Sequence, residues 1–251
     1  MRAAGDICSS YMIKQLLKAI FRYIPVAITR NQKYDAQTRK VIRKVCRPDS
    51  NCIDVGCHKG EILDLMIKFA PNGKHMGFEP IPGLYNKLKE KYSGTSCTIS
   101  DIALSNTTGV TTFNYVVSNP SYSGIKKRNY DRPGEQDTVI EVKTDKLDNI
   151  INPSHRADLI KIDVEGAEML VLEGATGTIA KWKPVIIFEY GLGASDVYGT
   201  TPDQLFGFFG QLGYKISLLE HWLNKGPHFS QKEFEEQFYK RLNYYFIAYA
   251  E

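Results

Sequence analysis

The sequence predicts an α/β fold, doubly wound, with a mostly parallel sheet and helices on both faces. Three observations carry that prediction. Short apolar runs rich in Val and Ile alternate with amphipathic runs of helical period along most of the chain. Gly and Pro punctuate the runs, as turn signals should. An acidic residue closes several of the apolar runs, at Asp54, Glu79, Asp163 and Glu189. Ligands in open α/β sheets bind at the carboxyl ends of strands, so these acids fall where function is expected.

The elements follow in order. Residues 35–46 read as a helix. "CIDV" (52–55) reads as the first buried strand, and "GEILDLMIKFA" (60–70) as a helix with Ile62, Leu65, Met66 and Phe69 on one face. "HMGFE" (75–79) is a second strand and "GLYNKLKEKY" (83–92) the next helix. "SCTISDIAL" (96–104) reads as a third strand with its exit. "TGVTTFNYVV" (108–117) and "TVIEVKT" (138–144) alternate and are β-rich. The polar stretch between them, 118–137, is long for a passive turn and is expected to be a substrate-facing flap. "ADLIKIDV" (157–164) is a strand, "GAEMLVLEGATGTIAKW" (166–182) one helix, "PVIIFEYG" (184–191) a strand and "PDQLFGFFGQLGY" (202–214) a helix. "KISLLEHW" (215–222) and "LNYYFIAYA" (242–250) read as the last strands. The final one follows a charged stretch rather than a crossover helix, so an antiparallel edge strand is expected there.

The 251 residues, 43% hydrophobic and 24% charged, fit one globular α/β domain and exclude a disordered or fibrous chain. Charge divides the chain. Residues 1–50 hold 11 Lys/Arg against 3 Asp/Glu, a balance of +8; the rest hold 21 against 25, a balance of −4. This sets a basic helical segment, 1–48, apart from a domain spanning 49–251. Within it, residues 11–28 carry apolar side chains at helical spacing, but Lys14, Lys18, Arg22 and Pro25 rule out a transmembrane span. Asp6 and the lack of a small-residue cleavage site argue against a signal peptide. Two readings remain: a helix packed on the domain with a solvated basic face, or an interfacial helix meeting a membrane or an acidic substrate. The five cysteines are odd in number and form no CxxC pair, which disfavours a disulfide scaffold or a zinc site and points to the reducing cytoplasm. A net charge of +4 without a recognised module argues against nucleic acid as a partner.

The most informative stretch is "NCIDVGCHKGE" (51–61). A glycine loop between a strand and a helix lets backbone approach a ligand, and the helix start offers N–H groups. The dinucleotide fingerprint G-x-G-x-x-G needs a second glycine where His58 stands, which counts against a nicotinamide cofactor. The spacing is instead G-x-x-x-G, Gly56 to Gly60, preceded by Asp54. Glu79 closes the second strand, where a carboxylate can accept both hydroxyls of a ribose. Asp101 follows the third, where a carboxylate can accept from an adenine amine. Together these describe a nucleoside site without phosphates. S-adenosylmethionine (SAM), with its cationic sulfonium, is such a ligand.

These blocks, with "GFEPIPGLYNKL", "DIALSN", "VKTDKLDNI" and above all "DLIKIDVEGAEMLVLEGA", resemble the FkbM family of SAM-dependent methyltransferases. The resemblance spans about residues 50–220. It implies a class I methyltransferase fold, Rossmann-like, with a seven-stranded sheet and a reversed last strand. It implies SAM as methyl donor and O-methylation of a sugar, glycan or secondary metabolite. Carried over position by position, it places Asp54, Gly56, Gly60, Glu79, Asp101 and Ala103 around the cofactor; His58, at a loop position that varies in the family, Pro80 and Asp163 are further candidates for that shell.

"KIDVEGAE" adds a second constellation. Asp163 closes its strand, Glu165 stands at the following turn, and Glu168 falls in the first turn of a helix, where a carboxylate suits the dipole. Two carboxylates crowded at one strand end are costly without a task. A hydroxyl becomes a good nucleophile when its proton has somewhere to go. Asp163 is therefore the expected base or hydroxyl-orienting group, with Glu165 assisting, Glu189 of the neighbouring strand joining them, and His221 as an alternative base. Asp163, Glu165 and Glu189 could also hold a divalent cation such as Mg²⁺. In the flap, "SYSG" (121–124) could offer a hydroxyl to cofactor or acceptor, and Lys126, Lys127 and Arg128 could attract a phosphorylated or nucleotide-linked acceptor. The competing classes are a nicotinamide oxidoreductase and a non-catalytic binding module. The missing middle glycine opposes the first, the intact acidic set the second.

Overall fold

A computed structural model describes residues 29–130 and 133–250. The stretch 11–28, with its helical spacing, lies outside the described residues. The chain divides into a unit ending at Ala36 and a unit Gln37–Glu251 that holds both sheets. Helix α1, Arg30–Val45, starts earlier than its periodicity suggested.

The main sheet has seven strands: β1 (Cys52–Val55), β2 (His75–Phe78), β3 (Cys97–Ser100), β7 (Leu159–Ile162), β8 (Val185–Glu189), β9 (Tyr214–Leu218) and β10 (Tyr245–Ala250). Their spatial order is β3-β2-β1-β7-β8-β10-β9. Pairings from β3 to β8 are parallel, and β10 runs antiparallel to both neighbours. The reversed strand is therefore interior. The edge position expected from sequence is corrected, because local pattern encodes strand direction and burial but not the order of strands.

Alternation along the central strands fills two cores. Ile53, Val55, Ile160, Ile162, Ile186 and Phe188 face one way. There they meet helices α5 (Glu168–Gly174), α6 (Thr176–Trp182), α7 (Pro202–Gln211) and α9 (Gln231–Tyr239) through Leu172, Ile179, Phe209 and Phe234. Each such side chain contributes about 1.5–3 kcal/mol by leaving water. Cys52, Leu159, Ile187 and Ile247 face the other way, against α1, α2 (Glu61–Phe69), α3 (Pro82–Lys91) and α8 (Leu219–Leu223).

Three local readings change. "SCTISDIAL" is two strands: Asp101 breaks it, and β4 (Ile102–Leu104) leaves the main sheet. It pairs parallel with β6 (Asp137–Asp145), which pairs antiparallel with β5 (Gly109–Val116) in a separate three-stranded sheet. The helix over 166–182 breaks at Ala175, and α6 restarts on Asp148 of the short helix α4 (Leu147–Ile150). The Asp148 carboxylate accepts from Gly177 N, Thr178 N and Thr178 Oγ1 at 2.7–2.8 Å, a cap supplied from a different segment. Finally, "KISLLEHW" is strand only to Leu218, and His221 lies on α8.

Candidate active site

The first strand and its loop set one wall. In β1, Asp54 points away from Ile53 and Val55, and it is fully buried. Gly56 has φ 74° and lies so close to the end of β7 that a Cβ would overlap the Asp163 carbonyl oxygen. Its glycine is thus required by backbone packing on backbone. The loop amides are engaged: Gly56 N and Cys57 N donate to Phe78 O at 3.0 and 3.1 Å, Gly60 N to Cys57 O at 2.7 Å, and His58 N to Glu79 Oε2 at 2.9 Å. Glu79 Oε1 accepts from Ile81 N at 3.0 Å, so both ends of the Glu79 carboxylate are pinned. Burial pushes Glu79 up to about 7 against these bonds. His58 holds φ 47°, an uncommon conformation for a side-chain-bearing residue, and burial followed by Lys59 pulls its imidazole down.

The register of β1 on β7 places Asp54 directly beside Lys161. Lys161 and Asp163 are two apart on one strand and share a face. Lys161 is a buried residue, 5% exposed, and its ammonium lies 3.6 Å from Asp54 Oδ1, 3.3 Å from Asp163 Oδ2 and 3.5 Å from the Gly56 carbonyl oxygen. Burial opposes its charge, but Asp163 and Asp54 hold it well above the ordinary lysine value. One layer further out, Glu189 pairs with Tyr245 across β8 and β10. Tyr245 Oη donates to Asp163 Oδ2 at 3.4 Å. Burial, then the neighbouring Asp163, drive Glu189 well above the carboxylate range, and its hydrogen bond with Asp163 acts in the same direction. Burial alone would raise Asp163; Lys161 and the bonds from Glu189 and Tyr245 outweigh it and keep Asp163 ionised. Asp54 is pushed by burial to about 6, with Lys161 pulling the other way. Neither of its oxygens has a hydrogen-bond partner within the described protein.

The turn after β7 is stapled from both sides. Glu168 Oε1 accepts from Val164 N and Gly166 N at 3.2 and 3.1 Å, which makes Glu168 a brace for the turn as well as a helix-start charge. Burial lifts it to about 7. Glu165 sits at φ 55° and forms an ion pair with Arg128 of the 118–137 segment; burial raises it to about 8 despite the guanidinium. That segment thus lies against the carboxylate cluster, with Lys126 N donating to Tyr198 Oη at 2.8 Å. Its other expected contacts are internal. Ser123 Oγ accepts from Val116 N at 2.9 Å and closes the hairpin, and Lys127 pairs with Asp137 at 2.6 Å.

Asp54, Gly56, His58, Gly60, Glu79 and Asp163 are therefore gathered at one end of the sheet, and Glu165 and Glu189 join them. Ala103 packs with Ile81, just past Glu79 and Pro80. Asp101 turns outward to Lys143, 3.1 Å away at an exposed position. His221 does not join: β9 and α8 lie three strand spacings from β7, about 14 Å, and its ring packs beside Phe229. The reading of His221 as a base rested on a strand end that is a helix. Lys161, Tyr245 and the Arg128–Glu165 pairing were not read from sequence. Lys161 had a signal, a lone cation inside the apolar run "LIKI". Among the described residues, no group of three His, Cys, Asp or Glu side chains is arranged to hold a metal ion. No helix among them is long and apolar enough to cross a membrane.

The family model described as the methyltransferase FkbM domain matches residues 54–216. Among solved structures, the chain is similar to a methyltransferase FkbM from Methylobacillus flagellatus KT, with 16% identity and a TM-score of 0.49, covering 81% of this chain and 44% of that one. It is also similar to a precorrin-6y C5,15-methyltransferase from Geobacter metallireducens GS-15, with 13% identity, a TM-score of 0.39 and 72% of each chain covered. No curated protein matches. The match runs from Asp54 in β1 into β9 and covers well over half of the sequence, and the chain belongs to the FkbM methyltransferase domain family.

Proposed function

We propose that the chain transfers the methyl group of SAM to a hydroxyl oxygen of a sugar, glycan or secondary metabolite, and that Asp163 receives that hydroxyl. The observation that carries the reading is the carboxylate of Asp163, 27% exposed at its side chain and held ionised by Lys161 beneath it. The residues fit the cofactor. The buried oxygens of Asp54, which have the Lys161 ammonium nearby but no hydrogen bond, give the site the negative charge that suits a cationic, ammonium-bearing ligand. Loop amides that already have acceptors leave little for a pyrophosphate, which disfavours a nicotinamide dinucleotide. Glu79, pinned by two amides, presents its remaining lone pairs in a fixed direction for ribose hydroxyls.

Bound SAM supplies an electrophilic methyl on a sulfonium that leaves readily. The protein's task is positioning and one proton. Asp163 accepts a hydrogen bond from the acceptor hydroxyl and turns its lone pair toward the methyl. An oxygen that has gained the methyl is far more acidic than the alcohol. A carboxylate of low basicity can therefore take the proton late. Lys161, Glu189 and Tyr245 fix the orientation of Asp163. Lys161 already sets an ammonium against Asp163, so a Mg²⁺ held by Asp163, Glu165 and Glu189 would have a cation for a neighbour. The engaged flap cations favour a neutral acceptor over a phosphorylated one. The test is a thermal shift with SAM, S-adenosylhomocysteine and NAD(P), then radiolabelled methyl transfer to a panel of neutral and phosphorylated sugars. A shift with the adenosyl ligands and labelling abolished by Asp163→Asn is expected. A shift with NAD(P) alone, or full turnover by Asp163→Asn, would refute it.

A further inference from the structure

Helix α1 has two unlike sides beyond Ala36. Thr38, Val41 and Ile42 are buried against the sheet. Arg39, Lys40, Arg43 and Lys44 are exposed. At helical spacing these four cations fall within an arc of about 140°. No Asp or Glu occurs from residue 36 to residue 48. Lys44 lies 4.7 Å over the Trp222 ring and donates to Leu223 O at 3.2 Å. Among the described residues, Arg39, Lys40 and Arg43 make no side-chain hydrogen bond or ion pair. Cations that merely solubilise a surface are usually interspersed with acids; here they form an unbroken stripe.

The rest of the molecule sharpens the contrast. Residues after 50 carry a balance of −4. A polyanionic surface would repel that body and attract this stripe, so the charge distribution selects one orientation of approach. We propose that this face of α1 docks on an anionic lipid surface. The chemistry recognised is a layer of lipid phosphates. Nucleic acid offers phosphates too, but two features favour lipid. The sequence directly before α1, residues 11–28, interleaves Met12, Ile13, Leu16, Leu17, Ile20 and Phe21 with Lys14, Lys18 and Arg22. That pairing of apolar and basic residues suits a headgroup layer above acyl chains, and has no use on a phosphate backbone. The four side chains of the stripe are all Lys or Arg, with no Asn or Gln among them to pair with an adenine.

The proposal is independent of the methyl-transfer reading and is tested without turnover. The full chain is cosedimented with phosphatidylcholine vesicles, with and without phosphatidylglycerol, at low and high salt. Binding is expected only with the anionic lipid and should weaken as salt screens the stripe. The triple variant Arg39→Gln, Lys40→Gln, Arg43→Gln should lose about fivefold in partition per side chain, equivalent to about 1 kcal/mol each, or about 100-fold in all. Its melting temperature and its thermal response to SAM should match wild type, since none of the three touches the core or the site. Equal binding to both vesicle types, binding to neither, or wild-type partition by the variant overturns the proposal. Preferential binding to duplex or single-stranded nucleic acid, with vesicles unable to compete, also overturns it.

Discussion

Replacing Asp54 by Asn should make the free protein more stable and deprive it of its response to SAM. Asp54 is sealed from solvent, its oxygens lack hydrogen bonds, and only Lys161 at 3.6 Å offsets its charge. Burial raises its carboxyl from the ordinary 3.8 to about 6. A raised acid holds its proton more tightly in the folded chain than in the unfolded one. Its effect on stability is therefore absent at low pH, grows as pH rises from about 4 to about 6, and persists above. The interval of about 2 pH units corresponds to about 3 kcal/mol of destabilisation at pH 8. Asn keeps the shape without the charge, but it leaves Lys161 with Asp163 as its remaining carboxylate and buries an amide with the same scarcity of partners, which returns part of the gain. A net stabilisation of about 1–3 kcal/mol is expected at pH 8, a rise of roughly 3–8 °C at this chain length, shrinking toward zero at about pH 4. Melting curves of both proteins across that range, with and without SAM, measure it. A variant less stable than wild type at pH 8, or a difference that ignores pH, would refute the reasoning. Asp54 and Lys161 would then be a structural ion pair, and Asp54 would not be reserved for a ligand.

The other expectations concern the same cluster. Gly56→Ala should cost about 3 kcal/mol or more, because φ 74° is strained for alanine and its Cβ would overlap the Asp163 carbonyl; a melting point near wild type would show that the loop can move. Lys161→Met strands two carboxylates and should destabilise by about 3–5 kcal/mol at pH 8, and by less at pH 5, where Asp54 takes up a proton. The acid limb of the methyl-transfer pH profile should move upward in that variant, since Lys161 is what holds Asp163 low; an unmoved limb would assign the ionisation to another group. Methyl transfer should survive dialysis against EDTA, because an ammonium already lies between Asp54 and Asp163; loss of activity restored by Mg²⁺ would count against that role.

Most of the strands were legible because each is a short apolar run closed by a turn residue. The acids at their ends were legible as a set for the same reason. What sequence did not convey is long range. Strand order places β10 inside the sheet, and so Tyr245 beside Glu189 and Asp163, although 82 residues separate Tyr245 from Asp163. The partner of Glu165 is Arg128 in another segment, and no spacing rule links the two. Asp101 does follow the third strand, but the run around it concealed that the chain leaves one sheet for another at that point. His221 followed the same logic: "KISLLEHW" has no breaker, and the change to helix at Leu219 comes from packing of Leu219 and Trp222 against the α1 and α2 face. Lys161 was the one overlooked signal that needed only local reasoning.

The interior position of β10 bears on how the molecule is made. Until Tyr245–Ala250 enters the sheet, β8 and β9 each present a row of unsatisfied backbone groups toward the same gap. That gap stays open while the intervening chain is synthesised, from Glu189 to Tyr245 along the nascent polypeptide. Closing it requires distant segments to meet, which is slow and leaves adhesive edges exposed meanwhile. Biogenesis of this protein should therefore depend on chaperone capacity until Tyr245–Ala250 has been made and has docked. Substitutions that weaken β10 should reduce yield before they reduce the performance of whatever protein survives.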